Sequence, residues 1–115
     1  MARTTNFKGT PLELTGNAIK EGEKIPSFKL TGNDMSDINE SVLAGKVAVI
    51  VTVPSLDTPV CSIEAARFNQ EASKLGSKVQ VLVVSRDLPF AQKRWCAAEN
   101  ALSVMTASDY KYRQF

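Results

Sequence analysis

Two stretches, VAVIVTV at residues 47–53 and VQVLVVS at residues 79–85, constrain the fold of this chain most. Both are rich in β-branched residues and nearly continuous in apolar character. As strands they would be apolar on both faces, which suits a buried parallel sheet. A weaker run, LSVMTA at residues 102–107, follows. Helical patterns separate the three runs, which predicts β-α-β-α-β with right-handed crossovers.

The first helix is predicted over residues 61–75. Cys61, Ala65, Phe68, Ala72 and Leu75 recur at spacings of four and three and so share one face. Glu64, Arg67, Glu71 and Lys74 share the opposite face, within reach of one another along the helix. Gly76 stops it. The second helix is predicted from Pro89, a favoured first position, to about residue 100. Its apolar stripe is Ala91, Trp95 and Ala98, with Cys96 on the flank, partly accessible.

The N-terminal third is rich in turns. Leu12 and Leu14 alternate with polar neighbours ahead of Gly16-Asn17, a two-residue hairpin signal, with residues 18–20 as the return strand. Residues 25–30 read as extended, with Phe28 and Leu30 on one face. Residues 31–34 read as a turn, and residues 41–46 as a loop or short helical turn ending at Gly45.

The length of 115 residues bounds the chain to one domain, 1–115. A net charge of +2, scattered basic residues and few aromatics argue against nucleic acid. No apolar run approaches the ~20 residues that cross a bilayer. The start, MARTTNFKGTPLEL, lacks the apolar core and cleavage site of a secretory leader, so a cytoplasmic location is expected. There is no histidine, which removes Ser-His-Asp and Cys-His catalysis and most zinc sites. Two cysteines alone cannot close a tetrahedral metal site, so none is expected. The chemistry rests on Cys61, Cys96, carboxylates, or Lys and Arg.

Cys61 stands at a helix start, behind a strand end and the loop PSLDTPV. Unpaired N–H groups and the positive end of the helix dipole favour a thiolate there and can hold a polar substrate. In an α/β sheet this turn lies at the carboxyl end of a strand, where ligands bind. Thr58, three residues ahead, offers a hydroxyl to donate to a thiolate and accept from a substrate hydroxyl. Pro54 and Pro59 stiffen the loop, and Pro54 is placed to roof the thiol. The plainer alternative is an inert, buried thiol behind a helix cap and a punctuating proline.

The stretch Pro54-Ser55-Leu56-Asp57-Thr58-Pro59-Val60-Cys61 resembles the peroxiredoxin signature P-x-x-x-T-x-x-C. The longer run VPSLDTPVCSIEAARFNQEA looks like the thiol peroxidase subfamily, and DLPFAQKRWCAAE at residues 87–99 resembles that subfamily's segment around its second cysteine. The LTGN and SDY turns also fit, so the resemblance covers nearly the whole chain. It implies a thioredoxin-like α/β fold with an N-terminal β-hairpin, and an atypical two-cysteine peroxidase. Cys61 is then the peroxidatic cysteine, oxidised to a sulfenic acid by hydrogen peroxide or an organic hydroperoxide. Cys96 is the resolving cysteine that forms an intramolecular disulfide with it. Thr58 orients thiolate and peroxide, Pro54 shields the site, thioredoxin is the reductant, no cofactor or metal is needed, and a homodimer is expected.

Members of that family continue for several tens of residues beyond the position of Phe115. A strand pair, a terminal helix and an active-site arginine are therefore expected to be missing, leaving the fold C-terminally incomplete, with an unpaired sheet edge and an uncovered apolar face. Arg86 follows a strand but does not match the arginine's motif. A catalytically impaired thioredoxin-like module is the alternative reading. A general disulfide oxidoreductase is disfavoured, because C-x-x-C is absent and the cysteines stand 35 positions apart. A disulfide requires Cα atoms within ~7 Å, so its formation between two helices is expected to unwind one or both ends.

Overall fold

The computed structural model describes residues 3–115; Met1 and Ala2, the first positions of the expected 1–115 domain and of the leader reading, lie outside the described residues. The chain opens with a hairpin of β1 (Arg3–Phe7) and β2 (Thr10–Leu14). The hairpin was expected, but its turn is Lys8-Gly9, not Gly16-Asn17, and residues 18–20 form no strand. Lys8 and Gly9 both take positive φ, 50° and 80°, as a two-residue hairpin turn requires. The register sets Arg3 opposite Leu14, and the Arg3 guanidinium donates to the Gly16 carbonyl at 2.7 Å.

The main sheet has five strands in the order β4-β3-β7-β6-β5. Three of them, β5 (Val47–Thr52), β6 (Val79–Ser85) and β7 (Val104–Ser108), are parallel, as the apolar runs predicted. β3 (Lys29–Gly32) pairs antiparallel with β7 and with β4 (Asp37–Asn39). The turn expected at residues 31–34 falls later. Thr31 and Gly32 are still paired with β7, and the reversal closes where Gly32 N donates to the Ser36 carbonyl at 2.8 Å. β4 was not anticipated, because three residues show no alternation to read. A 3₁₀ turn, Glu40–Leu43, follows, with Asn39 Oδ1 accepting from Ser41 N, and Gly45 ends the loop at φ 73°.

Successive residues of β6 explain why its run is apolar throughout. Val81 and Val83 enter one core with Val51, Val53, Ala65 and Trp95. Leu82 and Val84 enter a second core on the other face with Phe28, Leu30, Leu43 and Ala107. The helices α1 (Pro59–Leu75) and α2 (Pro89–Ala98) cover the first face. β5 is an edge strand, and Val47 on it is 65% exposed.

α1 starts two residues before the predicted position, with Pro59 at its head, and ends where predicted. Ala65 is buried, and Cys61, Phe68 and Ala72 pack against the same core, while Leu75 at the end is exposed. Glu71 pairs with Arg67 at 3.3 Å and Lys74 at 3.7 Å on the solvent face. Such pairs contribute ~0.3–0.5 kcal/mol each, against ~1.5–3 kcal/mol for burying one Val, Leu or Phe. The apolar stripe therefore decides how α1 docks.

The buried face of α2 differs from the expected one. It is Pro89, Gln92 and Trp95, with Ala98 exposed. The Gln92 amide is satisfied on its nitrogen side, where Nε2 donates to Ser85 Oγ and to the Ala107 carbonyl, both at 2.9 Å, while Oε1 is buried without a partner among the described residues. Among the described residues no helix is long and apolar enough to cross a membrane.

Candidate active site

The site is built where β5 ends and α1 begins. Val53 closes the strand with a bond from its N to the Val84 carbonyl at 3.0 Å. Pro54 then bends the chain away in an exposed position. Thr58 N donates to the Ser55 carbonyl at 3.3 Å, and Ser62 N to the Thr58 carbonyl at 3.0 Å, which starts the helix. Pro59 at the first helical position needs no N–H partner. Cys61 is the third residue of α1, free and half-buried against the core below it.

Thr58 is the N-cap residue, but its side chain caps nothing. Its hydroxyl donates to the Ser55 carbonyl at 2.8 Å. With the proton so placed, Oγ1 is turned to accept, and the donation to a Cys61 thiolate raised by the sequence is not made in this arrangement. The first turn of α1 is left without a side-chain cap, so its N–H groups face outward with the positive dipole end.

Cys96 is also free and half-buried, on the flank of the buried face as expected. It lies in the last turn of α2 rather than at a helix head. Its Sγ is 3.5 Å from Thr106 Oγ1, and that hydroxyl donates to Asn33 Oδ1 at 2.8 Å. Thr106 thus gives its proton to Asn33 and accepts from the Cys96 thiol. Although the thiols are unbonded, their chain neighbours meet: Trp95 Nε1 donates to Ser62 Oγ at 2.8 Å.

Arg86 gives its Nε–H to Asp109 Oδ2 at 3.1 Å. The two residues border a cavity of about 120 Å³ at the carboxyl ends of β5 and β6. Exposed apolar side chains mark both helix starts: Val60 and Ile63 on α1, Leu88 and Phe90 at α2.

Sequence reasoning missed the groups that tie this region together. Asp87 accepts from Ser55 Oγ, Leu56 N and Ser85 Oγ. An acid two residues behind a strand is a visible signal in the sequence, but nothing local reveals partners 31 and 32 positions upstream.

A central sheet with parallel strands, two helices on one face, and a free cysteine in the first turn after a strand define a thioredoxin-like α/β protein. The Redoxin family matches residues 20–115. The thiol peroxidase of Oceanobacillus iheyensis is 50% identical over 109 residues, 95% of this chain and 66% of that protein. The thiol peroxidase of Bacillus subtilis is 44% identical over 115 residues, all of this chain and 68% of that protein. A peroxiredoxin-like protein from Aquifex aeolicus superposes with a TM-score of 0.86 at 44% identity, over 98% of this chain and 66% of that one. The chain belongs to the redoxin family, in its thiol peroxidase branch. It spans about two thirds of the length of the curated relatives it matches.

Proposed function

We propose that the chain reduces hydroperoxides through Cys61 and is recycled through a disulfide with Cys96. The observation that carries this is the placement of a free, half-buried Cys61 in an uncapped first helical turn, three residues behind Thr58. The Cys61 thiolate attacks the distal peroxide oxygen, the O–O bond breaks, and the alkoxide or hydroxide leaves and takes a proton. The Cys61 sulfenic acid then reacts with the Cys96 thiol to give the disulfide and water. A thioredoxin dithiol returns both cysteines to thiols by exchange and is itself oxidised.

Thr58 Oγ1, turned to accept, receives the peroxide O–H and aligns the O–O bond with sulfur. Pro54 screens the sulfur during that alignment. The apolar side chains at Val60, Ile63, Leu88 and Phe90 suit organic hydroperoxides as well as hydrogen peroxide, and also suit a homodimer contact. Two free thiols fit a single redox-active unit in the reducing cytoplasm.

A second reading, a thioredoxin-like module without turnover, is favoured by Arg86, whose Nε–H is given to Asp109. One assay separates the two. Peroxide is added with thioredoxin, thioredoxin reductase and NADPH, and NADPH loss is followed. Turnover that Cys61→Ser abolishes supports the peroxidase; no turnover in folded protein supports the inactive module. Cys96→Ser is expected to stop Cys61 at sulfenic acid, and an unchanged thioredoxin-coupled rate in that variant removes Cys96 from the cycle.

A further inference from the structure

The loop that delivers Cys61 is tied to α2 by an exposed Arg94–Asp57 pair at 3.5 Å and, more closely, to the end of β6 by the carboxylate of Asp87. Asp87 Oδ1 accepts from Ser55 Oγ at 2.6 Å, and Oδ2 accepts from Leu56 N and from Ser85 Oγ, both at 2.7 Å. Asp87 itself is anchored by two further strand ends. Its N–H donates to Ser85 Oγ at 3.3 Å, and Ser108 Oγ donates to its carbonyl. Ser85 is in turn oriented by the buried Gln92 amide at 2.9 Å.

Ser55 passes this anchoring on. Its Oγ accepts from Asp57 N at 3.0 Å, and its carbonyl takes both the N–H and the O–H of Thr58. Thr58 then accepts from Ser62 N, so a continuous run of hydrogen bonds leads from Asp87 to the turn that carries Cys61. Among the described residues Asp87 has no cationic partner within ion-pair distance. Its bonds are all to neutral donors, and bonds to an ionised acceptor are the stronger kind.

We infer that Asp87 is the positioning residue of the Cys61 turn, fixing Ser55 and through it the direction of the Thr58 hydroxyl. This rests on the peroxidase reading above. Asp87→Asn keeps the shape but places an amide NH₂ in a site that needs two acceptor oxygens. Misplacement of reacting groups by ~1 Å costs on the order of 100-fold.

The test compares two rates at Cys61 in the full chain: oxidation by hydrogen peroxide and alkylation by iodoacetamide. Alkylation needs an accessible sulfur but no oriented hydroxyl. In Asp87→Asn the peroxide rate is expected to fall roughly ten- to a hundredfold, with alkylation changed by less than about threefold. General loosening of the fold would instead raise alkylation. A wild-type peroxide rate in the variant overturns the assignment. If the variant does not fold or alkylates much faster, Ser55→Ala decides. A several-fold slower peroxide reaction there supports the clamp, and a wild-type rate overturns it. Should the wild-type chain itself not react with peroxide, the peroxidase reading is the one that falls. The clamp is then judged by amide exchange in whichever of Asp87→Asn and Ser55→Ala folds. Faster exchange at Leu56 in Asp87→Asn, or at Asp57 and Thr58 in Ser55→Ala, supports it, and unchanged exchange overturns it.

Discussion

Thr58 is exposed and caps no backbone N–H, so its hydroxyl contributes little to holding α1 in place. Its bond to the Ser55 carbonyl instead sets the direction of the hydroxyl at the head of the helix that carries Cys61. Thr58→Val is therefore expected to slow reaction with peroxide on the order of tenfold or more, while Thr58→Ser retains most of the rate. Stopped-flow thiol oxidation measures both, and thermal melting is expected to change little. A different residue-scale effect concerns Glu40, whose carboxylate accepts from Ser27 Oγ at 2.9 Å and Phe28 N at 3.2 Å. Bonds from its own N–H, then from Ser27 and Phe28, hold its pKa below the ordinary glutamate value. The lowered value means the stabilisation is fully present above the ordinary value and is lost as pH falls through the lowered one. Protection of the Phe28 amide, taken relative to the intrinsic exchange rate at each pH, is expected to fall across that acid window, and Glu40→Gln to flatten the response.

At the scale of elements, α1 was legible because its apolar residues keep strict spacing and Gly76 marks its end. Gly76 takes φ 78° and ψ −176°, a region open essentially to glycine alone. Among the described residues, no atom beyond its chain neighbours lies within 4 Å of the position an added Cβ would occupy, so Gly76→Ala is opposed by the backbone conformation. It is expected to destabilise by about 1–3 kcal/mol, read from urea unfolding. The buried face of α2 was misread for the opposite reason. Gln92 is polar in sequence, and only Ser85 and Ala107, brought from β6 and β7, make its burial tolerable. The hairpin was found but placed one turn too late: Gly16 and Gly9 look alike locally, and only the partner strand Arg3–Phe7 distinguishes them.

For the whole molecule, the free cysteines on two helices set a conflict between chain entropy and native geometry. Closing the loop between Cys61 and Cys96 would restrict the unfolded chain by ~3.8 kcal/mol. The proposed disulfide would also be expected to disturb the Trp95–Ser62 bond and the helix turns that carry the two cysteines. The oxidised protein is therefore expected to gain much less in melting temperature than that figure implies. Amide exchange is expected to quicken in the first turn of α1 and the last turn of α2, with a change in Trp95 fluorescence. The sequence by itself determined the parallel strands, both helices and the thiol at a helix start, since these follow from local periodicity and punctuation. Tertiary structure alone decided which strands are neighbours, what Gln92 packs against, and that Asp87 grips Ser55 and Leu56. Those contacts join residues far apart in the chain, and hydrogen-bond partners of that kind leave no periodic trace in the order of amino acids.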